Sequence, residues 1–249
     1  MTKLNLPYDK PKKLTFKTGN PKTDKNLKIK SLKKYWILRL NLAPYNLSGY
    51  NVCASASVGC AESCLHTAGN PMFQAQKDKG RINRSRYYMQ SRVEFLKQLI
   101  REIKNHEIYC NKNNFKPVVR LNTTSDISWE IHGIFELFPA IQFYDYTKIK
   151  KRVIKYLTNQ YPKNYHLTFS MHETNYNDCM EVLRSGGNIA VVFKDKFPET
   201  FNGYKVVSGD ESDLRFLDPI NSVVGLKAKG KAKTDMSGFV MGNTIGDYS

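Results

Sequence analysis

From residue 117 onward the chain keeps one rhythm. A short apolar run is followed by a polar break, an amphipathic stretch and another apolar run. The runs are VVRLN (118–122), IQFYD (141–145), HLTFS (166–170), IAVVF (189–193), YKVVS (204–208) and SVVGL (222–226). The early ones recur at a spacing of about twenty-three residues, which leaves room for a crossover helix between parallel strands. The stretches WEIHGIFELF (129–138), KIKKRVIKYLTNQ (148–160) and NYNDCMEVLRSG (175–186) lie between them, and Gly186-Gly187 supplies a helix stop. Near-continuous apolar strands alternating with helices predict a parallel sheet covered by helices. YWILRLNL (35–42) adds an earlier strand. The expected fold is therefore α/β, a partial or irregular β/α barrel of about seven mostly parallel strands, with an open doubly wound sheet as the alternative. Residues 72–106 read as helix, with a break expected at Gly80.

The loop after that first strand concentrates the chemistry. In YNVCASASVGCAESCLHTAGNP (50–71), Cys53, Cys60 and Cys64 fall within twelve residues in the pattern C-x6-C-x3-C, among small residues. The N-terminal MTKLNLPYDKPKKLTF has no apolar core of a secretory signal, and no apolar run approaches the ~18 residues needed to span a bilayer. The expectation is a cytoplasmic protein, off the membrane, with reduced thiols. The total of five cysteines, an odd number, argues against a disulfide framework. No C-x-x-C pair is present, so thiol–disulfide exchange is not indicated. Three readings stay open. Structural zinc needs a fourth ligand, for which His66 is the nearest candidate. Three packed core cysteines would need more apolar neighbours than this loop offers. An iron–sulfur cluster suits three thiolates, with one iron left open to a small molecule.

The net charge is +17, and +9 of it lies in residues 1–34, where eleven lysines face Asp9 and Asp24. With Pro7, Pro11, Pro21 and Gly19, this segment reads as a flexible basic arm (1–34) before a single α/β domain (35–249). Such a charge balance favours a polyanionic partner, a nucleic acid or nucleotide, through phosphate neutralisation. Arg81, Arg84, Tyr88 and Arg92 recur at steps of three and four along one helix face, and the last strand runs into KAKGKAK. The candidate nucleic-acid contacts are Arg81, Arg84, Arg92, Lys227, Lys229 and Lys231.

In parallel β/α folds the site lies at the carboxyl ends of the strands. Those positions are polar throughout. VVRLN ends on Asn122 and is followed by Ser125, Asp126 and Glu130, IQFYD ends on Asp145 and runs into Tyr146, Thr147 and Lys148, and His172 and Glu173 follow HLTFS. Any one of these residues could be capping a helix or a turn; polar groups at most strand ends at once point to a site. Asp126, Asp145, His172 and Glu173 are the candidate catalytic residues, and Asn122 and Ser125 the candidate cofactor contacts. A hydrolase using Asp126, Asp145, Glu173 and Asp210 with Mg²⁺ is a further reading of the same carboxylates.

Several of these motifs occur in an order that resembles the phage "gene product 88" family. They are the cysteine stretch with CLHTAGNP, GRINRSRYYM, RLNTTSDISWE, FYDYTK and VVGLKAKGKAKTDMSGFV, together covering roughly residues 35–240. The cysteine loop and β/α layout are also similar to radical S-adenosylmethionine (SAM) enzymes, whose usual spacing is the shorter C-x3-C-x2-C. That resemblance implies a [4Fe–4S] cluster held by Cys53, Cys60 and Cys64, with SAM on the open iron. It implies an enzyme that cleaves SAM to a radical and abstracts hydrogen from a nucleotide, nucleic acid or other anionic substrate. For a phage-encoded chain the expected compartment is the host cytoplasm. The alternative expectation is a non-catalytic nucleic-acid-binding protein with a structural zinc or cysteine loop.

Overall fold

The computed structural model describes residues 5–17 and 31–242. Among them, ten strands form one mixed sheet: β1 (Thr15–Phe16), β2 (Tyr35–Leu40), β3 (Lys116–Arg120), β4 (Gln142–Thr147), β5 (Tyr165–Ser170), β6 (Ile189–Phe193), β7 (Thr200–Phe201), β8 (Tyr204–Ser208), β9 (Val223–Lys227) and β10 (Val240–Met241). All seven strands expected from the sequence are present. The helices are α1 (Val58–Glu62), α2 (Gln74–Gln90), α3 (Arg92–Lys112), α4 (Ile134–Leu137), α5 (Lys150–Leu157) and α6 (Tyr176–Arg184).

The sheet order is β1-β2-β3-β4-β5-β6-β9-β8-β7. Strands β2 to β6 lie side by side in chain order and are all parallel, as are β6–β9 and β9–β8. Only the short outer strands β1 and β7 pair antiparallel. The order from β2 to β6 has no reversal; beyond β6 it turns back, with β9 lying between β6 and β8. The pairing path ends at β1 and β7, and no described pairing joins those ends into a closed barrel.

Strand residues alternate between two faces. Leu38, Leu40, Val119, Leu121, Phe143, Leu167 and Phe169 belong to the main core, with Tyr87, Tyr88 and Phe95, Leu99 and Ile103 of α2 and α3, Phe135 of α4, Val153 of α5 and Leu183 of α6. Burying each large side chain of this set contributes about 1.5–3 kcal/mol. The alternate positions Ile37, Val118 and Tyr144 join a second small cluster, capped by Leu214 and Phe216 from the β8–β9 connection.

Two expectations change. The long helix breaks at Ser91 (φ −130°, ψ 53°), not at Gly80. Gly80 lies within α2, where even a Cβ would meet the Arg84 guanidinium only at an ordinary 3.4 Å, so nothing at this position breaks the helix. The second change concerns the basic arm. Residues 1–4 and 18–30 lie outside the described residues, but 5–17 pack against the body. Tyr8 stacks on Tyr87 and its hydroxyl meets Ser91 Oγ at 2.9 Å. Glu102 accepts from the backbone N–H groups of Leu14 and Thr15 and from the Thr15 hydroxyl, and β1 pairs with β2. Leu14 is fully buried. Apolar residues scattered among the lysines are enough to dock this stretch.

Candidate functional site

The cysteine loop lies across the carboxyl ends of β3, β4 and β5. Its entry is fixed by main-chain contacts: Asp126 N–H donates to Val52 O (2.9 Å), Tyr45 N–H to Cys53 Sγ (3.4 Å), and the Cys53 thiol lies 3.8 Å from Thr124 O. Ser57 then caps α1, its Oγ accepting from Cys60 N–H at 3.2 Å. This turn carries Cys60 and Cys64 back towards Cys53, so that all three half-buried thiols interact electrostatically with one another. Burial pushes Cys53 up to about 12 and raises Cys64 as well, partly offset by backbone N–H groups of Tyr45 and His66 respectively. His66 does not complete the group. Its charged neighbours are Asp78, Arg81 and Lys231, and its buried Nδ1 has no hydrogen-bond partner. Among the described residues, no three His, Cys, Asp or Glu side chains are gathered as ligands of a single metal ion. Cys110 and Cys179 are buried apart, within α3 and α6.

Glu173, just past β5, clamps this loop. Its carboxylate accepts from Ser57 Oγ at 2.7 Å and from Gly59 N–H at 2.8 Å. Burial pushes the carboxyl up, but those donors and its own backbone N–H outweigh burial and hold it below the usual range. Truncation by Glu173→Ala is expected to cost about 1–3 kcal/mol, the worth of hydrogen bonds to a charged group. A lowered denaturant midpoint together with faster loss of thiol protection in the loop would match this role; an unchanged midpoint would contradict it.

A strap formed by residues 229–241 closes over the same loop. Lys231 N–H donates to Thr67 Oγ1 (3.2 Å), Ser63 Oγ to Asp235 Oδ1 (3.0 Å), and Val240 N–H to Asp235 Oδ2 (3.0 Å). Gly230 sits at φ +58°, where a Cβ would fall 2.5 Å from Thr67 Oγ1. Gly59 is pinned likewise, because a Cβ there would meet Ser237 and Phe239. The strap ends in β10, which pairs with the last two residues of β6.

Beneath the thiols lies a charged hub. Arg152 of α5 is 3% exposed. It donates to Asp126 Oδ1 (2.7 Å), to both Glu130 oxygens (2.8 and 2.9 Å) and to Tyr165 OH (2.8 Å). Asp126 also accepts from Thr147 Oγ1 and from the Lys148 N–H, both at 2.8 Å. The Lys148 side chain reaches up from the end of β4 to Cys60. Burial pulls its ammonium down, yet Cys60, Asp126 and Cys53 together hold it above the ordinary lysine value. His172 also lies within electrostatic reach of Lys148, and its Nδ1 is hydrogen-bonded to Thr174.

Asn122, Ser125 and Asp145 form a knot below this hub. Asn122 Oδ1 accepts from Ser125 Oγ, Ile127 N–H and Trp129 Nε1, and its own N–H donates to Asp145 Oδ1 at 2.7 Å. Burial pushes the Asp145 carboxyl up to about 7, against the pull of that N–H and of Arg152 and Arg120. A carboxyl raised in the folded state gives stability that is full below its unfolded value and lost as pH rises through the folded one. Between about pH 4 and 7 the Asp145 contribution is expected to fall by up to about 1.4 kcal/mol per pH unit. Asp145→Asn should flatten that slope in denaturant titrations across the window; an identical slope would contradict the assignment.

Sequence-predicted residues are thus distributed over two levels. Cys53, Cys60, Cys64, Asp126, His172 and Glu173 surround or support the thiol group, whereas Asn122, Ser125 and Asp145 are joined to each other. The basic candidates have internal partners. Arg81 pairs with Asp78 (2.9 Å), buried Arg84 donates to Asn41 O (2.8 Å), and Arg92 lies over the Tyr88 ring (4.9 Å). Lys229 pairs with Asp210 (2.6 Å), Lys227 lies over Phe197 (5.9 Å), and Lys231 is exposed. Arg152 and the strap residues Asp235 and Phe239 are additions that only the structure reveals. Asp235-x-Ser-Gly-Phe is the turn signal that would have marked the strap.

Among the described residues, no helix is long and apolar enough to cross a membrane. No curated protein and no solved structure matches the chain. A family model described as Gene product 88 matches residues 13–241. That match takes in β1 and the strap, so the elements that build the site lie within it. The chain belongs to the phage gene product 88 family.

Proposed function

We propose that this chain is an iron–sulfur protein of radical-SAM type, with Cys53, Cys60 and Cys64 holding a [4Fe–4S] cluster. The observation that carries this reading is the convergence of the three thiols at the carboxyl ends of consecutive parallel strands. Each thiolate of a cluster binds a different iron, so such ligands stand further apart than those of one ion. Three thiols, with His66 facing other charged groups, suit a cluster with one iron left open better than a four-ligand zinc. The parallel run β2–β6 in chain order, with helices packed on the main core, favours a sheet curled towards a partial barrel.

Cys53, Cys60 and Cys64 would hold the cluster, which would supply one-electron reducing chemistry towards SAM. The rest falls to the chain. Glu173 and the strap hold the loop. Asp126, fixed by Arg152, anchors the main chain beside Cys53. His172, at the rim, is placed to contact the substrate, which we take to be a nucleotide, nucleic acid or other anion because of the surplus of basic residues. Anaerobic reconstitution with iron and sulfide should give a brown protein absorbing near ~400 nm. Under reduction it should convert SAM to 5′-deoxyadenosine. A colourless protein holding about one zinc would overturn the reading.

A further inference from the structure

We infer that Lys148 is the counter-ion of the cysteine-held group, and that its charge sets how readily that group accepts an electron. This rests on the cluster reading above. The geometry is specific to one side chain. Lys148 leaves the sheet at the end of β4, its backbone N–H fixed on Asp126 Oδ2 at 2.8 Å. Its ammonium meets Cys60 and lies within electrostatic reach of Cys53 and Cys64. On the other side, Phe239 of the strap roofs it, ring centroid 5.8 Å from Nζ. A Cβ on Gly59 would come within 2.9 Å of Phe239 Cβ, so the roof also sits directly on the cysteine loop.

Asp126 also acts on this ammonium, but shares its charge with a second cation. Asp126 already carries the Arg152 guanidinium at 2.7 Å, in a network where Arg152 also spans Glu130. The ammonium faces Cys60 and Cys53 as well, in a half-buried position where charges act more strongly than in water. Three thiolates around a cluster give a net negative charge, and reduction adds one more. A fixed cation therefore stabilises the reduced form more than the oxidised form and raises the potential, which in such clusters follows net charge, hydrogen bonds to sulfur and exposure. Lys148 is a positioning residue in this sense: it acts on the cluster and contacts no substrate.

The test is a mediated redox titration of the reconstituted full chain. Dithionite supplies one electron per cluster through viologen mediators, with the reduced cluster followed by electron paramagnetic resonance. Lys148→Met keeps the alkyl stem and removes the charge. It should disfavour reduction at least tenfold, a fall of about 59 mV for a one-electron couple. Lys148→Arg should stay near the wild-type potential. Lys148→Gln, a second neutral variant, should fall with Lys148→Met and guards against a packing defect in either. Equal potentials in wild type and both neutral variants would overturn the inference and leave the cluster reading intact. Failure of the wild type itself to take up a cluster would overturn both.

Discussion

Replacing Arg152 with methionine is expected to lower the stability of the fold by about 3–5 kcal/mol, the usual consequence of stranding the partners of a buried ion pair. Arg152 satisfies two carboxylates at once, Asp126 and Glu130, whose side chains are 11% and 10% exposed. Tyr161 OH adds a hydrogen bond to Glu130 at 3.1 Å, and Tyr165 OH accepts one from Arg152 at 2.8 Å. Methionine fills much of the volume but removes the cation that both anions share. The loss should appear as a lower urea midpoint. Combining Arg152→Met with Asp126→Asn and Glu130→Gln should recover part of it, because the charges that lost their partner are then gone. A single variant that loses under ~1 kcal/mol, as exposed pairs do, would show that the hub is not the support described.

The second large effect concerns the thiols. Alanine at Cys53, Cys60 or Cys64 should each abolish cluster colour, since three ligands is already one fewer than the usual four cysteines. Alanine at Cys110 or Cys179 should leave the colour in place. Those two are buried within helices away from the loop, and their loss costs packing, not ligation. Retention of colour in all three loop variants, or equal loss in all five, would separate the cysteine loop from the chromophore.

Much of this was readable from the chain because it depends on local pattern. The seven strands announce themselves as apolar runs, and the site end follows from where those runs stop. The cysteine loop was visible as spacing. What escaped depends on contacts between distant segments. The two-residue strands β1, β7 and β10 are too short to carry a pattern. The docking of residues 5–17 relies on Glu102 and Tyr87, far along the chain. Ser91 gives no breaker signal, whereas Gly80 gives one and is nonetheless helical. Strand-end polarity found Asp126 and Glu173 but could not separate anchors from groups facing the thiols. Arg152 looked like one more surface lysine or arginine in KIKKRVIKYL until its three partners were placed around it.

The most direct measurement is the content of iron and acid-labile sulfide per chain after anaerobic reconstitution and removal of excess reagent. The account predicts about four of each per chain, falling to near zero in Cys60→Ala. A chain that retains about one zinc and no sulfide, with Cys60→Ala equally folded, would contradict it.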